Sequence, residues 1–453
     1  MRRAVEAKLL AWKESDRRKP LVLLGMRQCG KTYILKEFGK SHYDDLAYFD
    51  FERNPQLGDI FRDLDPARIT KELSAACGKS ITERTLIVLD EVQNCYAALS
   101  SLKYFCQELP DQHIICAGSL LGLALADRKK KEAQNDACQH ETSFPVGKVS
   151  FMRMWPMDFG EFVLATEGEE LFGMMDGLSP CEELPGWLEE RLETRYREYL
   201  LVGGMPESVQ TWIDTESMEE VRKVQNDIIR SFKEDMGKYC RHDYQRITAL
   251  WDSVAHQAAE AGDRFVLKKA GGTSRTLADP IQWLLDADLV KRVWEVNDDS
   301  VPQNPRGGVH YKLYLPDVGL LSCMADVTAP MLNPADDRTS DIRGALAENY
   351  ALNQMTSSLD IEGDAFFWAN RKGDAEVDFQ IRLGSDLVPV EVKSGKVGRP
   401  VSLEVYCDRY APKAALVLSR KNVKLGKDGF SFVPLCMAWK VKAYLEALGL
   451  SRG

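Results

Sequence analysis

Two rhythms of apolar and polar positions alternate through the first third of the chain: short apolar runs, and longer repeats at helical spacing. Pro20-Leu21-Val22-Leu23-Leu24 has the length of a buried strand, and Tyr33 to Phe38 opens a helical repeat. Leu46 to Phe51, Thr85 to Leu89 and His113 to Ser119 predict three more strands, with polar, helical sequence between them. Strands alternating with helices imply a mostly parallel sheet that holds its ligand at the strands' carboxyl ends. Ahead of this pattern, Val5, Leu9, Leu10 and Trp12 among charged neighbours predict an amphipathic helix over residues 1–15.

The pattern then changes. Residues 163–235 are acidic and helical and read as a lid or connector. From Gln245 onward, Ile247, Leu250, Trp251, Val254 and Ala258 recur at helical spacing. A turn at Gly271 to Thr276, a helix over Leu277 to Ala287 and strands at Asp288 to Trp294 and Tyr311 to Asp317 follow, which is the order of a winged-helix unit. Asp326 to Ser340 reads as a linker, and Gly344 to Tyr350 starts the helix of a last domain. We therefore expect an α/β protein with divisions at 1–165, 166–240, 241–325 and 341–453.

The firmest chemistry lies between the first strand and the first long helix. Gly25-Met26-Arg27-Gln28-Cys29-Gly30-Lys31-Thr32 fits G-x-x-x-x-G-K-[ST], the phosphate-binding loop of nucleotide hydrolases. Gly25 and Gly30 allow close backbone approach, and successive N–H groups with the helix end can surround phosphate oxygens. Lys31 would reach the β- and γ-phosphates, Thr32 would ligate Mg²⁺, and Tyr33 closes the nucleotide-binding stretch. Downstream, Thr85-Leu86-Ile87-Val88-Leu89 ends in Asp90-Glu91. Asp90 is placed to hold the Mg²⁺ shell and Glu91 to orient and deprotonate the attacking water. Ser119 ends the next strand as a candidate γ-phosphate sensor or as a helix N-cap.

The segments GMRQCGKT, LIVLDEVQ and AGSLLG resemble a prokaryotic group of AAA-type P-loop ATPases with a C-terminal domain of unknown function. The resemblance continues in Trp155 to Phe162 and in Tyr199 to Pro206, so it covers most of the chain. It implies ATP and Mg²⁺ as cofactors, in keeping with the lack of an Asn-Lys-x-Asp guanine-reading motif. The group often carries Arg just before its Trp-Pro stretch, where this chain has Gly147-Lys148; Lys148 and Arg153 are the candidates for a charge-stabilising finger.

In the last domain, Ala375 to Ile381 and Val388 to Lys393 look like paired strands carrying Asp378, Glu391 and Lys393 as D…E-x-K. Side-chain alternation puts Glu391 and Lys393 on one face, and Glu348 on the preceding helix could complete a metal shell. The arrangement resembles a restriction-endonuclease-like core. A surface pairing of opposite charges explains E-x-K equally well.

Charge and composition narrow the partners. The net charge of −10 argues against a protein that coats DNA throughout, yet from Arg371 on there are 15 Lys+Arg against 9 Asp+Glu. A polyanion contact is thus permitted at the C-terminal end. In the winged-helix-like unit, Arg275 could touch phosphate, but Asp279, Asp286 and Asp288 favour a protein–protein or interdomain role. No apolar segment reaches membrane-spanning length, no secretory region follows Met1, and eleven cysteines without paired C-x-x-C spacing fit a reducing cytoplasm. Three functions remain open at this point: an ATP-driven switch or remodeller acting through the C-terminal domains on a protein partner or by self-association, an ATP-gated metal-dependent nuclease, and a non-catalytic nucleotide-dependent scaffold.

Overall fold

A computed structural model of the chain describes residues 1–118, 147–239, 243–260, 264–296, 310–361, 365–370, 375–384, 386–395, 400–426 and 430–450. They form two compact units: Met1–Trp155 with Asp286–Asp288, and Pro156–Leu285 with Leu289–Gly453. Among the described residues, no helix is long and apolar enough to cross a membrane.

The first unit is built on five parallel strands, β1 (Leu21–Leu24), β2 (Asp45–Asp50), β3 (Thr85–Asp90), β4 (Ile114–Ala117) and β5 (Ser150–Arg153), in the order β2-β3-β4-β1-β5. Every residue of β3 and β4 is buried, as their near-continuous apolar runs require of central parallel strands. The helices α1 (Val5–Lys13), α2 (Lys31–His42), α3 (Pro66–Cys77) and α4 (Tyr96–Glu108) belong to the same unit. α3 shows how local chemistry sets an element's ends: Asp65 caps its first turn, Pro66 stands at the first helical position, and Gly78 at φ +66° ends it. Phe49, Phe51, Phe61, Leu89, Leu99 and Phe105 lie in the core packed against one sheet face. β5 was not legible from its sequence; it is a short edge strand whose four residues are half-buried or exposed. The register sets Asp50 of β2 opposite Asp90 of β3, so both carboxylates stand at the carboxyl end of the sheet.

The second unit opens with five helices, α5 (Phe159–Glu167), α6 (Glu169–Gly177), α7 (Gly186–Val202), α8 (Pro206–Thr215) and α9 (Met218–Tyr239). Next come α10 (Tyr244–Ala258), α11 (Ser274–Asp286), β6 (Lys291–Val296), β7 (Tyr311–Tyr314), α12 (Val318–Met324) and α13 (Ser340–Leu359). The chain ends in β8 (Ala365–Ala369), β9 (Glu376–Leu383), β10 (Asp386–Val392), α14 (Val401–Tyr410), β11 (Ala415–Ser419), β12 (Phe430–Pro434) and α15 (Val441–Ala447). All seven of these strands make one mixed sheet, ordered β12-β11-β10-β9-β8-β6-β7. The β6–β7 hairpin, expected as the wing of a separate unit, continues this sheet, because buried Val293 and Trp294 of β6 pair in parallel with Ala365 and Phe366 of β8.

Two motifs that carried the family resemblance meet here. Asp158 and Glu161 form a reciprocal capping box at the start of α5. The Met157 N–H donates to Gly204 O at 2.7 Å, and a Cβ on Gly204 would stand 2.0 Å from Met157 O. Phe159, Phe162, Tyr196, Tyr199 and Tyr350 pack edge-to-face around this junction. Both motifs therefore specify packing.

Candidate functional site

The predicted phosphate loop runs from the end of β1 to the start of α2. Gly25 has φ +144°, and a Cβ there would come within 2.3 Å of Met154 O, so the position admits only glycine. Gln28 and Gly30 also have positive φ, +63° and +96°. A non-glycine residue held in this region stores about 1 kcal/mol or more, which loops keep where the bend serves a site. Met26 and Cys29 turn their side chains into the core, Arg27 is half-buried, and Gln28 and Tyr33 are exposed. Arg3, ahead of α1, braces the loop: its guanidinium donates to Cys29 O at 2.8 Å and to Trp155 O at 2.7 Å.

Lys31 is buried, and its ammonium donates to Gly25 O and Met26 O, both at 2.8 Å, rather than to a carboxylate. A buried cation with only neutral partners leaves a local positive charge, which fits an anion at the loop. Thr32 donates its hydroxyl to Asp90 Oδ2 at 2.8 Å, 58 residues away in sequence. Tyr48 donates to the same oxygen at 2.7 Å. Burial, then the bond to Asp90, push the Tyr48 hydroxyl far above its usual range, so it remains a donor. Glu91 follows with φ +52°, and Gln93 Nε2 donates to its Oε2. A cleft lined by Thr32, Lys36, Tyr48, Asp50, Asp90 and Glu91 opens in front of this group. The hydroxyl–carboxylate pair beside an uncompensated ammonium is chemically suited to a divalent cation and phosphate oxygens.

Of the remaining candidates in this unit, Ser119 lies outside the described residues. Arg153 is ion-paired to Asp288 at 2.5 Å. Tyr48 and Arg3 were missed by sequence reasoning. Tyr48 left a weak trace, a polar-tipped aromatic two positions before Asp50 on an apolar strand; Arg3 left none.

The C-terminal candidates also come together. Lys393 Nζ stands 2.6 Å from Glu391 Oε1, on the face that strand alternation required. The Val392 N–H donates to Asp378 Oδ2 at 2.7 Å, across the β9–β10 pair. Tyr314 donates its hydroxyl to Glu348 Oε2 at 3.0 Å. Lys312, missed from sequence, places its ammonium 2.5 Å from Glu376 and 3.9 Å from Glu348. Burial, then repulsion from Asp378, push Glu348 up to about 7 and Glu391 up to about 8. Burial also raises Asp378 and Glu376. For Lys312, burial opposes the charge, but Glu348, Glu376 and Asp378 outweigh it and hold the ammonium above the ordinary lysine range. Among the described residues, no three His, Cys, Asp or Glu side chains converge as a metal site. Glu391 Oε2 is buried without a hydrogen-bond partner, but Glu348, Glu376 and Asp378 are engaged with Lys312, Tyr314 and a backbone N–H, so these three do not fit a metal ion as they stand.

Comparison with known proteins agrees with the first unit. Residues 17–163 match the AAA_14 family, an AAA domain. Residues 193–331 and 343–437 match two domains of unknown function, DUF8612 and DUF4143. No curated protein matches the chain. Among solved structures, the Walker-type ATPase PABY2304 of Pyrococcus abyssi is 15% identical, with 71% of this chain and 95% of that chain covered and a TM-score of 0.44. AMPPCP-bound DnaA from Aquifex aeolicus is 13% identical, over 62% of this chain and 87% of that one, with a TM-score of 0.28. The Aeropyrum pernix Orc1 protein in complex with DNA is 12% identical, over 72% and 93%, with a TM-score of 0.26. Residues 17–163 thus match an AAA domain, and the five-stranded parallel sheet with the loop after β1 is the fold of a P-loop nucleoside triphosphatase.

Proposed function

We propose that the chain hydrolyses ATP with Mg²⁺ on Gly25 to Tyr33, and that this cycle operates the C-terminal part as a molecular switch or remodeller. The observation that carries the reading is Lys31, a buried ammonium bonded to two loop carbonyls one residue from the Thr32–Asp90 pair. On nucleotide binding, Lys31 turns from those carbonyls to phosphate oxygens, which the loop N–H groups and the start of α2 also receive. Thr32 turns its hydroxyl oxygen from Asp90 toward the cation site, and Asp90 keeps its bond from Tyr48. Thr32 and Asp90 would hold Mg²⁺, which would supply neutralisation of phosphate charge. Glu91, held by Gln93, orients the attacking water and accepts its proton.

Steady-state hydrolysis tests this directly. Lys31→Ala is expected to abolish turnover, and Glu91→Gln to retain ATP binding while losing turnover. Hydrolysis at the wild-type rate in purified Glu91→Gln would remove Glu91 from the mechanism.

A second reading concerns the last domain. The succession α13, three antiparallel strands β8 to β10, α14 and then β11 parallel to β10 supports a restriction-endonuclease-like core. On this reading Glu348, Asp378, Glu391 and Lys393 process nucleic acid under nucleotide control. Incubation of the full chain with DNA and RNA, Mg²⁺ or Mn²⁺ and each nucleotide state is the test. Cleavage that persists in Asp378→Ala, or no cleavage in any state, would reject it.

A further inference from the structure

Lys312 sits in the middle of β7, opposite Val293 of β6, and is 3% exposed. Lysine is rarely buried to this degree unless its charge is compensated nearby. Compensation here comes from two other elements, Glu376 of β9 and Glu348 of α13, and the Phe367 ring of β8 lies 5.1 Å from the ammonium. Tyr314, two residues on and therefore on the same strand face, donates to Glu348. The adjoining cavity, lined by Gln257, Phe265, Lys312, Tyr314, Ala345 and Glu348, measures about 20 Å³. That is room for a single water, not for a hydrated divalent ion.

These residues lead to a cation that belongs to the chain. We infer that Lys312 is the resident cation of the carboxylate cluster: its tethered ammonium holds the place a divalent ion would need between Glu348 and Glu376. In the nucleotide-free protein the cluster is thereby neutralised from within, and it takes a divalent ion there only when that ammonium is removed. Glu391 is served separately by Lys393, on the far side of Asp378 in the strand order. The inference is independent of ATP hydrolysis, because it concerns the nucleotide-free protein.

The test is Mn²⁺ titration of the nucleotide-free full chain, read by electron paramagnetic resonance, counting only binding that is lost in Glu348→Gln. Wild type is expected to show no such site below about 1 mM. Lys312→Gln should acquire one, at least about tenfold tighter, and its melting temperature should rise with Mn²⁺ while that of wild type does not. Lys312→Arg, which keeps the charge, should behave as wild type. A Glu348-dependent Mn²⁺ site in wild type below about 1 mM would overturn the inference, whether or not the variant folds. A folded Lys312→Gln that gains no site would overturn it equally.

Discussion

Tyr48 and Thr32 donate their hydroxyls to one and the same oxygen of Asp90, Oδ2, at 2.7 and 2.8 Å. The two donors come from different sides of the sheet's carboxyl end, β2 and α2, and only Thr32 lies in the phosphate loop. With Thr32 turned to a bound cation, Tyr48 would be the donor that keeps the Asp90 carboxylate aimed. Losing a hydrogen bond to a charged group costs about 1.5–3 kcal/mol. Tyr48→Phe is therefore expected to raise the Mg²⁺ concentration for half-maximal hydrolysis about tenfold, with ATP binding in the absence of metal unchanged. Unaltered Mg²⁺ dependence would show that Asp90 is held by other contacts.

Arg3 makes the second prediction. Its guanidinium ties Cys29 O in the loop to Trp155 O beyond β5, contacts 26 and 152 residues apart in sequence. These are charge-assisted bonds from a buried side chain, and methionine has no donor to replace them. Arg3→Met should loosen the loop and weaken ATP binding about tenfold, ~1.4 kcal/mol, while saturating turnover changes little. Titration with a fluorescent ATP analogue measures the first effect and steady-state kinetics the second. Equal affinities in the two proteins would assign Arg3 to stability alone.

How far the sequence could be read followed the range of each interaction. The phosphate loop was legible because its chemistry is local: two glycines, a lysine and a threonine at fixed spacing between a strand and a helix. Asp90 was legible because an all-buried strand ended in carboxylates, and Glu391 with Lys393 because strand alternation places them on one face. Arg3, Tyr48 and Lys312 act through contacts between distant segments, and a lone arginine or tyrosine carries no periodic signal. Lys312 did leave a clue, a lysine within Tyr311-Lys312-Leu313-Tyr314, where an apolar residue would be expected on a buried strand. The β6–β7 hairpin has the local signature of a wing. Its continuation of the large sheet depends on pairing with β8 across 72 positions of sequence (Val293 with Ala365), and periodicity does not report such pairing. The Gly203-Gly204 pair lies in the stretch Tyr199 to Pro206 that carried the resemblance, and the structure gives its reason: Met157 and Asp317 approach its backbone too closely for a side chain.

Asp317 gives a prediction about pH. It is buried, caps α12 through the Leu320 N–H at 2.9 Å, and accepts the Gly204 N–H at 2.6 Å. Burial pushes its carboxyl up to about 6 from an ordinary 3.8, although the backbone donors pull the other way. Between these two values the folded chain holds a proton that the unfolded chain has already released. Folded stability from this group is therefore present at pH 4 and lost as pH rises through 6, at a slope of up to ~1.4 kcal/mol per pH unit. Asparagine at this position keeps an acceptor for Leu320 but cannot take up the proton, so Asp317→Asn removes the slope. The stability of wild type relative to Asp317→Asn should fall as pH is raised from 4 to 6 and stay constant above 7. Other carboxylates titrate in both proteins and cancel in this difference, which denaturant melts at each pH would provide. A gap that stays level across the window would mean that the backbone donors outweigh burial and that Asp317 is ionised throughout.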